Sequence, residues 1–222
     1  MNEPEKPKKG WGWLLWGVVI VVLLLLVSLW WTIFIVTKDM ANQSSVSNNA
    51  RQTIMAMKIW AHDNGGAYPD SAFQERTTAN QVFRKLIQDE IIEDERIFGG
   101  KGGYFVGDGN IGTAPAYDEA VKPGENHWMI TAGQNTNSST ETPLVFENAI
   151  TSTWPLRWFS THQGESIRGS VWPKGKIIVG FQDNRVELIE LQKQNNVMVL
   201  PDKVMIPKGK TPLPPLKILD IE

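Results

Sequence analysis

The three histidines are the first residues in this chain to consider for catalysis or metal binding. None of the three, His62, His127 and His162, has a second histidine at the helical spacing of three or four residues that builds a zinc site. The sequence predicts that His62 lies at the end of a helix and that His127 begins a strand as a surface or half-buried residue. Both are therefore interpreted as structural residues.

Several serines stand close to His162, which makes a nucleophilic pair conceivable. Ser160, Ser166 and Ser170 are its neighbours in sequence. A serine hydrolase needs the nucleophile on a sharp turn, and the Gly-x-Ser-x-Gly signature of that turn is missing. We therefore predict that the protein is not an enzyme.

A glycine-rich stretch supplies the oxygen ligands that calcium prefers. Asp108 and Asn110 lie in the segment Gly-Asp-Gly-Asn, and Asp118 follows soon after. The spacing does not match an EF-hand loop, and a plain turn explains the same glycines. Calcium bound by Asp108, Asn110 and Asp118 is the one metal hypothesis, and otherwise no cofactor is predicted. The nearby Glu93, Asp94 and Glu95 are interpreted as a solvated acidic face.

Tryptophans gather shortly before the end of the predicted sheet. Trp154, Trp158 and Trp172 are apolar enough to dock a partner or stack on a sugar ring. The same side chains are equally suited to fill a core. Both interpretations stay open, and the first makes these three residues a candidate partner surface.

Composition limits the partners that the chain can bind. The sequence has 22 basic and 24 acidic residues, and removing the first ten residues leaves 19 basic and 22 acidic ones. Binding to nucleic acid requires clustered lysine and arginine, so a mildly acidic chain argues against such a partner. There is no cysteine, which excludes disulfides and thiol chemistry.

A long apolar segment precedes all of these residues. The stretch 11–37 has no charged residue, and its helix would be about 39 Å long, more than a bilayer core of about 30 Å. Trp11, Trp13 and Trp16 stand at one end, and Trp30 and Trp31 near the other, as expected at membrane surfaces. A transmembrane helix is therefore predicted, because a cleaved signal would be shorter and would end in a small-x-small site.

The lysines around this helix predict its orientation. Lys6, Lys8 and Lys9 precede the span, whereas Lys38 beside Asp39 follows it. The positive-inside rule then places residues 1–10 in the cytoplasm as a basic head. Residues 38–222 are predicted to form one periplasmic or extracytoplasmic domain of a single-pass inner (plasma) membrane protein.

Apolar periodicity predicts the elements of this domain. Ala50, Ile54, Met57 and Ala61 draw a stripe along one helical face, which Asn64 and two glycines then end. Ser44–Asn49 are a possible break in that helix. A second helix is predicted near 78–88, and the strands at 104–106, 127–132, 143–147, 177–181 and 186–191. Asp183 and Asn184 lie between the last two strands, at the centre of a tight hairpin turn.

The remaining chain, from about residue 192, is rich in proline. Pro201, Pro207 and Pro212 are among the residues that disfavour helices and central strands. Short edge strands are predicted at 197–200 and 204–206. The whole pattern predicts an α+β fold, in which a long first helix, transmembrane in its first half, packs on a small antiparallel sheet.

Several short motifs in this order resemble the type IV pilin-like proteins, or pseudopilins, and above all their planctomycete-type group. The matching motifs are Lys8-Lys9-Gly10 before the apolar helix, Asn48-Asn49-Ala50-Arg51-Gln52, Asp63-Asn64-Gly65-Gly66-Ala67-Tyr68-Pro69, and the strand, turn and strand at 179–187. The resemblance implies a non-catalytic component of a secretion or pilus-type assembly, with membrane lipid, envelope proteins and further copies of the chain as partners. It also implies a processing site between Gly10 and Trp11.

The chain departs from that family at three places, one of which is Asn184, where the family has the glycine of the turn. Processing after Gly10 would put Leu15 where the family has a glutamate that is thought to neutralise a neighbouring subunit's amine. Pro173 stands where the related group has a histidine. A second hypothesis is therefore a stationary, membrane-tethered binding domain that has a pilin-like fold and does not polymerise.

Overall fold

The computed structural model describes residues 12–73, 77–100, 105–206 and 212–222. The chain divides into two compact units, Met1–Asn42 and Gln43–Glu222. Helix α1 (Gly12–Asp63) supplies all described residues of the first unit and the first residues of the second. The predicted head 1–10 and Trp11 lie outside the described residues.

In the first unit, α1 is apolar from Gly12 to Thr37, apart from a serine and two threonines. Each residue from Gly12 to Lys38 is exposed, and α1 is the one described helix long and apolar enough to cross a membrane. The hydroxyls of Ser28 and Thr32 donate to backbone carbonyls one turn earlier, at 2.8 and 2.9 Å. Few polar groups on this helix therefore need water, which suits a membrane environment.

In the second unit, α1 buries the predicted stripe. Ala50, Ile54, Met57 and Ala61 are at most 1% exposed, which confirms the periodicity argument. The possible break at Ser44–Asn49 does not occur, because the helix continues through these residues. Asn49 instead donates a side-chain hydrogen bond to the carbonyl of Gly99 at 3.2 Å.

Helix α2 (Ala79–Gln88) begins with a capping box. The Thr78 hydroxyl accepts from the Gln81 backbone, and the Gln81 side chain accepts from the Thr78 backbone. This satisfies two of the donors that a helix start leaves free. Its apolar face is buried, as the predicted helix near 78–88 requires. Two short 3-10 helices flank α2 in sequence, Pro69–Ala72 and Glu95–Phe98.

Eight described strands form two antiparallel sheets. They are β1 (Trp128–Thr131), β2 (Pro143–Glu147), β3 (Arg157–Phe159), β4 (Lys176–Phe181), β5 (Val186–Glu190), β6 (Gln192–Gln194), β7 (Val197–Val199) and β8 (Ile218–Leu219). The larger sheet has the order β5-β4-β2-β1-β8 and the smaller one β3-β7-β6. The pairings within each are antiparallel, as predicted for the main sheet.

The larger sheet is covered on both faces. Ile130 and Ile178 belong to one apolar cluster with α1 and α2, whereas Met129 and Val179 belong to a second cluster with the smaller sheet. A Cβ atom added at Gly180 would lie 2.5 Å from Ile54 Cδ1, so glycine lets α1 approach β4 closely. The fold is therefore α+β, with helices on one face of the sheet and a second sheet on the other.

The predicted hairpin is confirmed, while the predicted strand at 204–206 is wrong. β4 and β5 pair across the turn, where Asn184 has the left-handed φ of 71°. Residues Asp202–Met205 form a short helix, α3, whose N-cap is Pro201. A proline before the first turn costs no hydrogen bond, because that N–H has no partner within a helix. In the predicted strand 104–106, Tyr104 lies outside the described residues, and Phe105 and Val106 are not in a strand.

Candidate functional site

A buried polar cluster joins three strands of the larger sheet. The Glu147 carboxylate, in β2, is 1% exposed and lies 2.9 Å from His127 Nε2. It also accepts hydrogen bonds from Trp172 Nε1 and from the backbone N–H of Ile178, each at 2.9 Å. One carboxylate therefore links β1, β2, β4 and the segment before β4. A buried carboxylate needs such donors to stay in the core.

The other nitrogen of His127 faces Asn148. Asn148 Oδ1 accepts from the backbone N–H of Gly169 at 2.9 Å, which directs its Nδ2 group towards His127. That group lies 2.9 Å from His127 Nδ1 and 3.2 Å from the His127 carbonyl oxygen. Because Asn148 donates there, Nδ1 acts as an acceptor and the ring proton is on Nε2, towards Glu147.

Burial argues that this cluster holds the fold together and does not react with a substrate. The side chain of His127 is 5% exposed, and a Cβ atom added at Gly100 would lie 2.3 Å from the ring. The surface or half-buried position predicted for His127 is therefore wrong. Sequence analysis missed its partner, since Glu147 is 20 residues away on the neighbouring strand.

His162 and two of the three serines near it in sequence have other hydrogen-bond partners. His162 Nδ1 lies 2.8 Å from Glu165 Oε2 at the surface. Ser170 Oγ donates to the Glu165 carbonyl at 2.6 Å, and Ser160 Oγ donates to the Asn196 carbonyl at 2.9 Å. The hydroxyls of Ser160 and Ser170 therefore donate to backbone carbonyls and not to His162, as a nucleophile paired with its general base would.

The structure regroups the predicted calcium ligands. Asp108 lies with Glu95 and Glu125, and one carboxylate oxygen of each is within 4.8 Å of the others. Asp118 is not part of this group of acidic residues. The Asn110 backbone donates to Asp108 Oδ1 at 2.7 Å, and Asp118 Oδ1 lies close to Gly112. Calcium remains a prediction, and three carboxylates are the ligands that the described residues offer it.

Glu95 in this group corrects another prediction. It is 0% exposed and does not belong to a solvated acidic face. Its two oxygens accept from the backbone N–H groups of Gly109 and Val121, at 2.9 and 2.7 Å. Val121 has the left-handed φ of 50°, which is unusual for a β-branched residue. Glu95 therefore fastens two parts of a long loop to the 3-10 helix at Glu95–Phe98.

Burial and two neighbouring charges affect the titration of Glu95. Burial raises its pKa, the hydrogen bonds from Val121 and Gly109 lower it, and the charges of Glu125 and Asp108 raise it again, leaving the pKa above its usual value. A carboxyl group with a raised pKa binds its proton more readily in the folded chain. Stability from this group is therefore lost as pH rises through that pKa.

Glu125→Gln is expected to stabilise the protein at pH 8, by about 0.5 kcal/mol, because it removes one of the charges that oppose ionised Glu95. The gain should fade on acidification towards pH 4, about the ordinary glutamate pKa. Thermal unfolding of both proteins across this pH range measures the difference. Glu93→Gln, at an exposed glutamate, is the control and should show no such trend. A gain that is independent of pH would contradict the argument.

The candidate partner surface is mostly interior. Trp158 and Trp172 are 0% and 2% exposed, and only Trp154 of the three predicted residues is half-buried. Trp158 Nε1 donates to the Asn148 carbonyl at 3.1 Å. These indoles fill the core around the smaller sheet and the buried polar cluster, so the proposed exposed surface is wrong for Trp158 and Trp172.

Two of the depressions on the surface of the second unit enclose more than 400 Å³ each. One encloses about 680 Å³ beside Trp60 and Asp89, whose carboxylate is paired with Trp60 Nε1 and Lys85. The other encloses about 440 Å³ and is lined by Phe105, Val106, Gly124, Ile167, Arg168, Ile221 and Glu222. In both, the charged side chains largely have partners within the chain. Neither depression therefore shows the convergent free polar groups of a ligand site.

Comparison with known proteins gives no relative for this chain. No family model matches it, no curated protein matches it, and no solved structure matches it. Its function must therefore be argued from its own residues and their arrangement.

Proposed function

We propose that this protein is a non-catalytic, membrane-anchored component of an envelope assembly, similar to the pseudopilins of secretion and pilus-type systems. The observation that carries the proposal is the difference in burial between the first and the later part of α1. Its first part, residues 12–37, has exposed side chains that are mostly apolar and none that is charged, whereas its later part buries a stripe against an antiparallel sheet. A helix of this kind anchors a domain in a bilayer and also belongs to that domain's core.

The proposed topology follows from the lysines and the tryptophans. Lys6, Lys8 and Lys9 keep the head in the cytoplasm, and the second unit faces the periplasm or the exterior. Trp30 and Trp31 are 75% and 66% exposed on α1, as suits rings that lie among lipid headgroups. The membrane in this proposal is the inner (plasma) membrane.

The absence of catalysis in this proposal rests on how the reactive groups are used. In the described part of the chain, His127 and Glu147 are buried against each other, and His162 is paired with Glu165 at the surface. The mechanism would therefore consist of contacts, which are lateral packing in the membrane and docking of the exposed domain. Its partners are lipid, envelope proteins and further copies of the chain, and not nucleic acid.

One residue favours a second candidate function. Leu15 occupies the position at which the resembling family has its assembly glutamate. A chain without that carboxylate lacks one device for joining neighbouring subunits. The alternative is a stationary tethered domain that binds its partner outside the membrane and does not polymerise.

The mass of the protein isolated from its native membrane distinguishes the two functions. Processing after Gly10 would shorten the chain by ten residues and is expected to leave a methylated amine on Trp11. We expect this shorter, methylated mass if the protein enters a pilus-type assembly. A full-length chain would overturn the assembly proposal and favour the stationary tethered domain.

A further inference from the structure

The last described segment of the chain, Lys217–Glu222, is held like a bound peptide. Within it, β8 is the two-residue edge strand of the larger sheet, with Ile130 opposite Leu219 and Thr131 opposite Ile218. The Ala132 N–H donates to the Lys217 carbonyl at 2.8 Å, which extends the contact with β1. Edge strands are the places where a sheet accepts an added strand.

Groups outside the sheet complete this attachment. The N–H groups of Ala79 and Gly124 donate to the carbonyls of Asp220 and Glu222, at 2.8 and 2.9 Å. The Arg168 guanidinium lies 2.6 Å from the Asp220 carboxylate. The surface formed by residues 78–80, Gly124, residues 130–132 and Arg168 is called the strand-docking groove below.

The apolar side chains of the segment are buried, and its polar contacts are with residues that are distant in sequence. Ile218, Leu219 and Ile221 are 8%, 4% and 6% exposed. The hydrogen bonds and ion pair described above connect the segment to residues that precede Gly169 in sequence. The same contacts can form when the groove belongs to one molecule and the segment to another.

The approach to β8 also keeps the segment extended. Pro212, Pro214 and Pro215 lie in a stretch without helix or strand that leads to Lys217, and the Leu213 N–H donates to the Met205 carbonyl of α3 at 2.8 Å. Proline fixes φ and favours extended chain, which resists folding back on itself. Such connections allow an element to reach a neighbouring molecule, which is the basis of domain swapping.

We propose that the strand-docking groove also accepts Lys217–Glu222 from a second copy of the chain, so that neighbouring copies exchange strand β8. This inference makes a second copy of the chain the partner in the proposed assembly. It rests on the proposed function in one respect, because both copies must be held in the same membrane. Confinement raises the effective concentration of groove and segment and favours exchange.

Two single-cysteine chains with different tags test the exchange, since the natural sequence has no cysteine. Thr131→Cys is placed in one chain and Ile218→Cys in the other, and both are produced as full chains in the same membrane. Residues opposite each other in an antiparallel pair are close enough for a disulfide. A disulfide joining the two tags at these positions requires the segment of one chain to lie on β1 of the other.

We expect the yield of the mixed disulfide to exceed that of a collision control by about tenfold, as effective-concentration arguments suggest. In the control, the exposed Asn137→Cys replaces Thr131→Cys. A chain with both Thr131→Cys and Ile218→Cys checks the fold, because it should close an internal disulfide. The pair Ile130→Cys and Leu219→Cys repeats the test at the adjacent register position.

Exchange is overturned if the doubly substituted chain closes its internal disulfide while the mixed pairs give no more dimer than the Asn137→Cys control. It is also overturned if no disulfide forms at either register position, whether within one chain or between two chains. The mass measurement on the native protein is independent of this test. A processed mass without a mixed disulfide would contradict only the proposed exchange of β8. A full-length mass with a mixed disulfide would contradict only the proposed pilus-type assembly.

Discussion

Glu147→Ala is expected to lower the free energy of unfolding by about 3–5 kcal/mol, as is typical when one partner of a buried polar pair is removed. The substitution takes away the carboxylate that accepts from Trp172 Nε1, from the Ile178 N–H and from His127 Nε2. These donors lie in the core and lose this acceptor without gaining access to water. Denaturant unfolding of the full chain in detergent or lipid measures the loss.

A matched control for this substitution is available on β5, which lies two strands away from β2 in the larger sheet. Glu190 lies in β5 and is exposed, so Glu190→Ala should change stability by less than about 0.5 kcal/mol. Glu147→Gln keeps an acceptor oxygen and should fall between the two. If Glu147→Ala were as stable as Glu190→Ala, the cluster around Glu147 would not hold the sheet together.

Trp158→Ala is expected to destabilise the protein by about 3–5 kcal/mol, because it leaves a large cavity in the core. Trp158 belongs to β3 of the smaller sheet, and its indole is fully buried and donates to the Asn148 carbonyl. Asn148 in turn orients His127, so the loss should extend to the polar cluster. Thermal or denaturant unfolding of the variant measures the effect.

The control for this substitution is the same change at a half-buried tryptophan. Trp154→Ala should cost less than about 2 kcal/mol, since part of its ring is already in contact with water. A Trp158→Ala variant that kept full stability would contradict the core assignment and revive the hypothesis of a binding surface. The two variants therefore separate the interpretations that the sequence left open.

The sequence predicted those parts of the fold that depend on local patterns. The stripe from Ala50 to Ala61 and the turn at Asp183 and Asn184 are each set by residues within a few positions of one another. Periodicity and turn chemistry act over such distances. The smaller sheet was not predicted as a separate layer, because its pairing of β3 with β7 joins distant strands.

The candidate sites were harder to predict for a related reason. Glu95 directly follows two acidic residues, Glu93 and Asp94, and only the folded loop brings the N–H groups of Gly109 and Val121 to its oxygens. Likewise, His127 and Glu147 meet because β1 and β2 pair in one particular register. Short polar motifs do not encode such register, since a shift of one residue would turn either side chain to the other face.

The placement of the tryptophans has a practical consequence for optical spectroscopy. Trp13, Trp16, Trp30 and Trp31 are exposed on the first part of α1, whereas Trp60, Trp128, Trp158 and Trp172 are buried in the second unit. The intrinsic fluorescence of the protein in a bilayer should therefore contain two populations of emitters. A quencher carried on lipid acyl chains would dim the first population, and a denaturant that opens the second unit would shift the emission of the other. Anchoring and unfolding could then be followed in the same cuvette without any attached dye.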